Sequence, residues 1–358
     1  MCGRTACALA PDVLCRRCSY KNGGGNYSMP RNGVDRSDQT FQPSYNFTPF
    51  RFGPVLVLSN SCPQHSSAET AKKSETHSKI DADDDDVKSF ASSDARTLTL
   101  MRWGLVPSWY HGDPNRVQYK MSNARVETLL QKKIFRTALE RARRCVVPVQ
   151  GFYEWRTTTD GQKQPYFLHM PQSAAVADIK NEQASSQSLD ANEINANVKH
   201  ELDVVTDGKQ EKTTVETPLM MLAGIFDVAH PEPSGDALYS YTVVTVPSCS
   251  KMAFIHDRMP AILAAPESIN EWLSEHTTVE RAVSLLKPFD TIEFYPVSTL
   301  VNSWKNDSHR CLQPIDRKRP AAVGPNCAEP PKKKSPEKGQ THAGDKSQAT
   351  LHAFFKTK

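Results

Sequence analysis

The chain has 358 residues, a formal net charge of +4 and nine cysteines. The cysteines follow no regular framework, and neither a signal peptide nor an apolar run of membrane length occurs. This argues against a disulfide-stapled secreted scaffold or a membrane span and suits a reduced intracellular compartment. Residues 316–358 hold 10 Lys+Arg against 4 Asp+Glu, so of the net +4 the first 315 residues carry −2. Any nucleic-acid binding by that part must therefore rest on a local set of arginines and not on bulk charge.

Three polar stretches hold too few apolar residues to pack: 59–96, with the run Asp81-Ala82-Asp83-Asp84-Asp85-Asp86, then 173–217, then 316–358. They are expected to be disordered. Removing them leaves roughly 230 residues, enough for one domain with a substantial core. That domain is expected to span 2–315 with two insertions.

In chain order, Cys2 comes first. It follows the initiator, and its small side chain permits methionine removal, which leaves an N-terminal cysteine. Such a residue has an α-amine, ordinarily of pKa about 7.7–8.0, beside a thiol near about 8.5. An amine condenses with an aldehyde to a Schiff base, and the adjacent thiol then closes on the imine carbon as a five-membered thiazolidine. Internal cysteines cannot do this. The plain alternative is an incidental cysteine on a frayed terminus.

Residues 11–20 read as a short helix, ended by Gly23-Gly24-Gly25. Cys15 and Cys18 lack a second pair at zinc spacing, so they are read as ordinary thiols, with no metal and no cofactor. Pro43 and Pro49 bracket an extended loop that presents Asn46, and residues 54–58 form a buried strand. After the acidic stretch, Arg102 and Trp103 sit where a strand reaches Gly104. Trp103 is either core or an exposed platform for a base beside a phosphate-binding arginine. A helix is predicted over 126–144, with Leu129, Leu130, Ile134 and Leu139 as its apolar stripe.

Residues 145–149 read as a buried strand running into Gly151-Phe152-Tyr153-Glu154-Trp155. Glu154 is either a carboxyl enclosed by aromatics, raised toward neutral pH by desolvation, or the solvent face of a strand. Strands follow at 219–226 and 239–246. Then Ile255-His256-Asp257-Arg258 sets three polar side chains in succession, with alternation placing His256 and Arg258 on one face. Two short helices, near 266–274 and 278–286, and a strand at 292–297 complete the pattern.

Six segments in this order, Met1-Cys2-Gly3-Arg4, Tyr45-Asn46, Arg102-Trp103-Gly104, Asn123-Ala124-Arg125, Gly151-Phe152-Tyr153-Glu154-Trp155 and Ile255-His256-Asp257-Arg258, resemble the SOS-response-associated peptidase (SRAP) family, over a span reaching about Pro314. The resemblance implies an α+β fold on a curved, barrel-like antiparallel sheet with flanking helices. It also implies a sensor of abasic sites in single-stranded DNA that captures the ring-opened sugar aldehyde as a covalent thiazolidine. Cys2 would be the nucleophile, Asn123 would orient the terminus or the sugar, Glu154 would shuttle protons and His256 would donate to the sugar oxygen. Arg4, Arg102, Arg125 and Arg258 would hold phosphates, Trp103 and Gly104 would wedge between bases, and Asn46 would add a contact. The family's peptidase label would be met by removal of Met1. The chain is expected to act as a monomer.

In the tail, Arg317-Lys318-Arg319 and Lys332-Lys333-Lys334 have the form of a bipartite nuclear import signal. Gln348, Leu351, Phe354 and Phe355 have the spacing of motifs that dock on the replication sliding clamp PCNA, since one helical turn brings the three apolar side chains to one face. A nuclear protein at replication forks is the expectation. Two other readings stay open: a non-covalent reader of DNA with modified cytosine, and a cysteine peptidase using Cys2 and His256.

Overall fold

The computed structural model describes residues 2–34, 41–61, 94–118, 120–172, 218–232 and 235–315. Most of the first polar stretch and all of the second and third, with the import and clamp motifs, lie outside the described residues. Apolar, β-branched runs make most of the strands, and several are buried on both faces, as in β6 (Phe52–Leu58), β9 (Arg144–Val149) and β13 (Leu238–Pro247). Such strands need cover on either side. A closed sheet with a second sheet against it supplies that cover.

The larger sheet closes into a ring. β13 pairs with β12 (Met220–Ala229), β12 with β9, β9 with β6, and β6 with β7 (Arg96–Trp103), all antiparallel. A parallel contact between β7 and β13, Ser240 against Arg102 and Tyr241 against Trp103, completes the circuit. The expected α+β class and barrel-like sheet are thus present. β4 (Arg31–Gly33) lies along the far edge of β7. Two short strands border the mouth of the ring on β13: β8 (Asn123–Arg125), parallel to it, and β14 (Arg258–Pro260), antiparallel.

A second sheet has the order β15-β11-β10-β1-β5. Its members are β1 (Thr5–Cys7), β5 (Ser44–Phe47), β10 (Gly151–Thr157), β11 (Lys163–His169) and β15 (Glu293–Pro296). A small hairpin of β2 (Tyr20–Lys21) and β3 (Tyr27–Ser28) turns at the three glycines. Alternation along β10 sends Phe152 into the main core and Tyr153 into a smaller cluster with Val297, Val301 and Cys311 on the other face. Glu154 therefore shares the face of Phe152.

The helices are α1 (Pro11–Arg17), α2 (Asn115–Gln118), α3 (Lys133–Glu140), α4 (Pro266–Leu273) and α5 (Val279–Ser284). The helix predicted over 126–144 is much shorter than expected. Residues Val126–Thr128 form a single 3-10 turn, α3 alone is α-helical, and Ala142 at φ 51° turns the chain into β9. Leu130 is exposed, and Arg144, the last residue of the predicted helix, opens a strand with its guanidinium buried against the Ser274 and Thr277 carbonyls.

The ring closes on aromatic packing. Trp103 lies between Phe47 at 6.2 Å and Tyr241 at 6.3 Å, with interplanar angles of 11° and 9°. Its Nε1 donates to the Ser122 carbonyl at 2.8 Å, so the indole is both enclosed and polar-satisfied. Gly104, at φ 119°, takes a backbone conformation closed to ordinary side chains and donates its N–H to the Tyr241 carbonyl at 2.8 Å. Trp103 is therefore core, which corrects the expectation of an exposed wedge. Trp103→Ala should lower the unfolding free energy by about 3–5 kcal/mol in a denaturant titration, whereas an exposed wedge would shift it by less than about 0.5 kcal/mol.

Candidate functional site

The first strand builds the site. β1 is hydrogen-bonded to β10 on one side and β5 on the other, in register at Thr5–Phe152 and Thr5–Phe47. The Tyr153 N–H donates to the Arg4 carbonyl at 3.0 Å, which continues the pairing toward Cys2. Cys2 is fully buried, and the Asn123 Nδ2 of β8 donates to its carbonyl at 2.8 Å. Asn123 Oδ1 is buried with no hydrogen-bond partner among the described residues. An acceptor so placed is poised for a donor that arrives later, an amine or a sugar hydroxyl.

Glu154 is enclosed, 2% exposed, as one of the two sequence readings required. Burial pushes its carboxyl up to about 7, with the positive amino terminus opposing and Asp257 adding to the rise. Burial also raises the Cys2 thiol well above its ordinary value, and the Glu154 charge adds to this. Cys2 is thus a neutral thiol near pH 7 beside a carboxyl able to give or take a proton there.

His256 stands at the opening, one-quarter exposed. Its Nδ1 accepts the Arg258 backbone N–H at 3.0 Å. Burial, with the amino terminus, lowers its pKa, against the pull of solvent-exposed Asp257 3.0 Å from Nδ1. When the neutral ring accepts the Arg258 N–H at Nδ1 it carries its proton on Nε2 and can donate a hydrogen bond there.

The structure gathers Cys2, Asn123, Glu154 and His256 but divides the arginines. Arg258 is buried, held bidentate by Glu127 at 2.6 and 3.1 Å and donating to the Thr245 carbonyl at 2.6 Å. Its cation is paired with Glu127, a carboxylate that is itself about half exposed. Glu127 falls in the run 126–144 read as a helix, and no local pattern marks it as a partner because Arg258 is far away in sequence. Arg4 donates to Asn46 Oδ1 at 2.7 Å and to the Val301 carbonyl at 2.6 Å. Asn46 in turn donates to the carbonyls of Val301, Ser303 and Asn306. Asn46 is fully buried on β5 and is not presented by a loop; with Arg4 it ties the sheet to residues 299–306.

Arg102 and Arg125 remain near the mouth. Arg125 is exposed and shares a face of β8 with Asn123 by alternation. Arg102 is part-exposed and donates to Asn115 Oδ1 at 2.8 Å and the Phe50 carbonyl at 3.2 Å. Both bear positive charge without a carboxylate hydrogen-bonded to it among the described residues.

The raised Glu154 sets a pH dependence. A carboxyl whose folded pKa lies above its unfolded value favours folding at low pH and loses that contribution as pH rises toward and through about 7. Glu154→Gln should remove this decline. The thermal midpoint of the wild type relative to Glu154→Gln should therefore fall by several degrees between pH 5 and pH 8.

The chain is similar to known proteins. The model of the SOS response associated peptidase (SRAP) family matches residues 1–304. The chain is 35% identical to the abasic site processing protein HMCES of Xenopus tropicalis over 96% of this chain and 88% of that one, and 37% identical to HMCES of Rattus norvegicus over 90% and 80%. It is 32% identical to the abasic site processing protein YoqW of Bacillus subtilis over 60% and 76%. A crystal structure of a Bacteroides thetaiotaomicron protein, 19% identical, shares the fold with a TM-score of 0.56, covering 88% of this chain and all of that one. The chain, with its buried Cys2 set against Asn123 and Glu154, belongs to the SRAP family.

Proposed function

We propose that the chain processes abasic sites in single-stranded DNA by covalent capture at Cys2. The observation that carries this reading is the placement of a buried Cys2, its carbonyl held by Asn123, beside a carboxyl raised to about 7. The names of the relatives speak of abasic sites.

Removal of Met1 frees the Cys2 amine. The amine attacks the C1′ aldehyde of the ring-opened sugar, and its proton passes to the oxygen to give a carbinolamine. Protonation of that hydroxyl by Glu154 expels water and leaves an iminium. The thiol then adds to the iminium carbon as its proton goes to the Glu154 carboxylate, which closes the thiazolidine. Protein and aldehyde thus become adduct plus one water, and Glu154 ends as it began. A carboxyl near pH 7 serves both half-steps, since it is a competent acid in the first and a competent base in the second. The His256 Nε2–H hydrogen-bonds the sugar oxygen and favours the open form. Arg102 and Arg125 pair with phosphates, while Trp103 and Gly104 shape the mouth from within. The tail motifs bring the protein to the nucleus and to the sliding clamp, where single-stranded template is exposed.

A denaturing gel with a single-stranded oligonucleotide carrying one abasic site tests the chemistry. The wild type should give a denaturant-stable adduct. One extra residue ahead of Cys2 should abolish it, and Cys2→Ser should give only an imine that requires borohydride trapping. Adduct formation by both variants at the wild-type rate would overturn capture at Cys2, and indifference of DNA binding to both, with no adduct from the wild type, would favour the non-covalent reader.

A further inference from the structure

Beside the candidate centre, on the face of β10 that carries Glu154, lies a pair of side chains to which sequence gave no role. Phe254, two residues before His256, is 46% exposed, with the Arg156 guanidinium 5.3 Å from its ring centroid. The ring is anchored below by Phe294 at 5.4 Å and edge-on by Tyr166 at 5.9 Å. Tyr166 is the cross-strand partner of Glu154. Arg156, also exposed, follows Glu154 by two residues. Alternation keeps the two on one face, with Cα atoms about 7 Å apart.

A single exposed aromatic needs no explanation. This one is held rigid from beneath, carries a cation at its ring and stands about one nucleotide's reach from the proton-transfer carboxyl. A flat ring with a guanidinium over it offers what single-stranded nucleic acid uses, an aromatic surface for a nucleobase and a mobile cation for its phosphate.

We infer that Phe254 and Arg156 form a subsite for the nucleotide adjoining the captured lesion. The base stacks on Phe254, and the Arg156 guanidinium pairs with the phosphate joining that base to the lesion. The inference rests on the reading of this centre as a site for single-stranded DNA and adds where the neighbouring base lies. Stacking tolerates any base, so the subsite selects for the presence of a base and not for its identity.

The test uses the full chain and oligonucleotides with one reactive abasic site, in which the nucleotide on one side or the other is replaced by tetrahydrofuran, a baseless and unreactive analogue. For the wild type, loss of the base on one side should raise the half-saturating DNA concentration for adduct formation by about fivefold or more. Phe254→Ala should show the same rise on normal DNA and no further rise when that base is missing, while Phe254→Trp retains the wild-type response. Arg156→Ala should weaken binding alike for all neighbouring bases and reduce the salt dependence by about one ion. Phe254 is exposed, so its alanine variant should keep its thermal midpoint, which separates a lost contact from a lost fold. A Phe254→Ala variant that remains sensitive to the missing base, or that binds as the wild type does, refutes the subsite alone. Failure of the wild type to form any adduct refutes capture itself and the subsite with it.

Discussion

The pairing of β1 with β10 and β5 fixes what the rest of the site can be. Chain ends ordinarily fray, since few contacts offset the entropy of ordering them. Here the first strand lies second from the edge of a five-stranded sheet, with neighbours on both sides. Its hydrogen bonds run up to Arg4, and Asn123 takes the Cys2 carbonyl beyond it. The amino-terminal residues thereby enter a pocket where a carboxyl is desolvated. The same burial that raises Glu154 raises the Cys2 thiol, so the thiol keeps its proton until a reaction draws on it while Glu154 can give or take one near pH 7. Capture by an amine followed by a thiol needs that condition, because the amine must act first and a carboxyl must switch roles in between.

The arginines divide by task. Arg4 and Arg258, to which the family resemblance assigns phosphates, hold the scaffold: Arg4 fastens the first strand to residues 297 positions away, and Arg258, paired with Glu127, carries the backbone N–H that His256 Nδ1 accepts. Removing such a residue disturbs the site indirectly, by leaving buried acceptors or Glu127 without a partner. In the proposed function, Arg102, Arg125 and Arg156 at the rim contact the DNA backbone. A near-neutral domain binding through a few placed cations has a shallow salt dependence and depends on the lesion for specificity.

Much of the architecture was legible because the strands are apolar, β-branched and long, as in residues 54–58 and 239–246. The catalytic candidates were legible because unusual chemistry requires unusual residues, and Cys2 behind an initiator is one. Three kinds of information were hidden. The run 126–144 has helical spacing, but tertiary demands on Arg144 and the turn at Ala142 shorten the helix to Lys133–Glu140. Trp103 was equally compatible with core and surface until ring closure against β13 enclosed it. Asn46, Arg4 and Arg258 looked exposed because their partners, at 301–306 and 127, are distant in sequence, and no local pattern announces such a pairing. Phe254, in a turn, carries no local signal for the same reason, since its meaning depends on Arg156 and Tyr166 of a sheet distant in sequence.

Intact mass spectrometry of the full chain, before and after incubation with a single-stranded oligonucleotide bearing one abasic site, addresses the central claim most directly. Capture by the Cys2 amine and thiol predicts a protein lacking Met1 that gains the mass of the oligonucleotide less one water, in a form that survives denaturant. A protein with a confirmed free Cys2 that gains no such mass would contradict it.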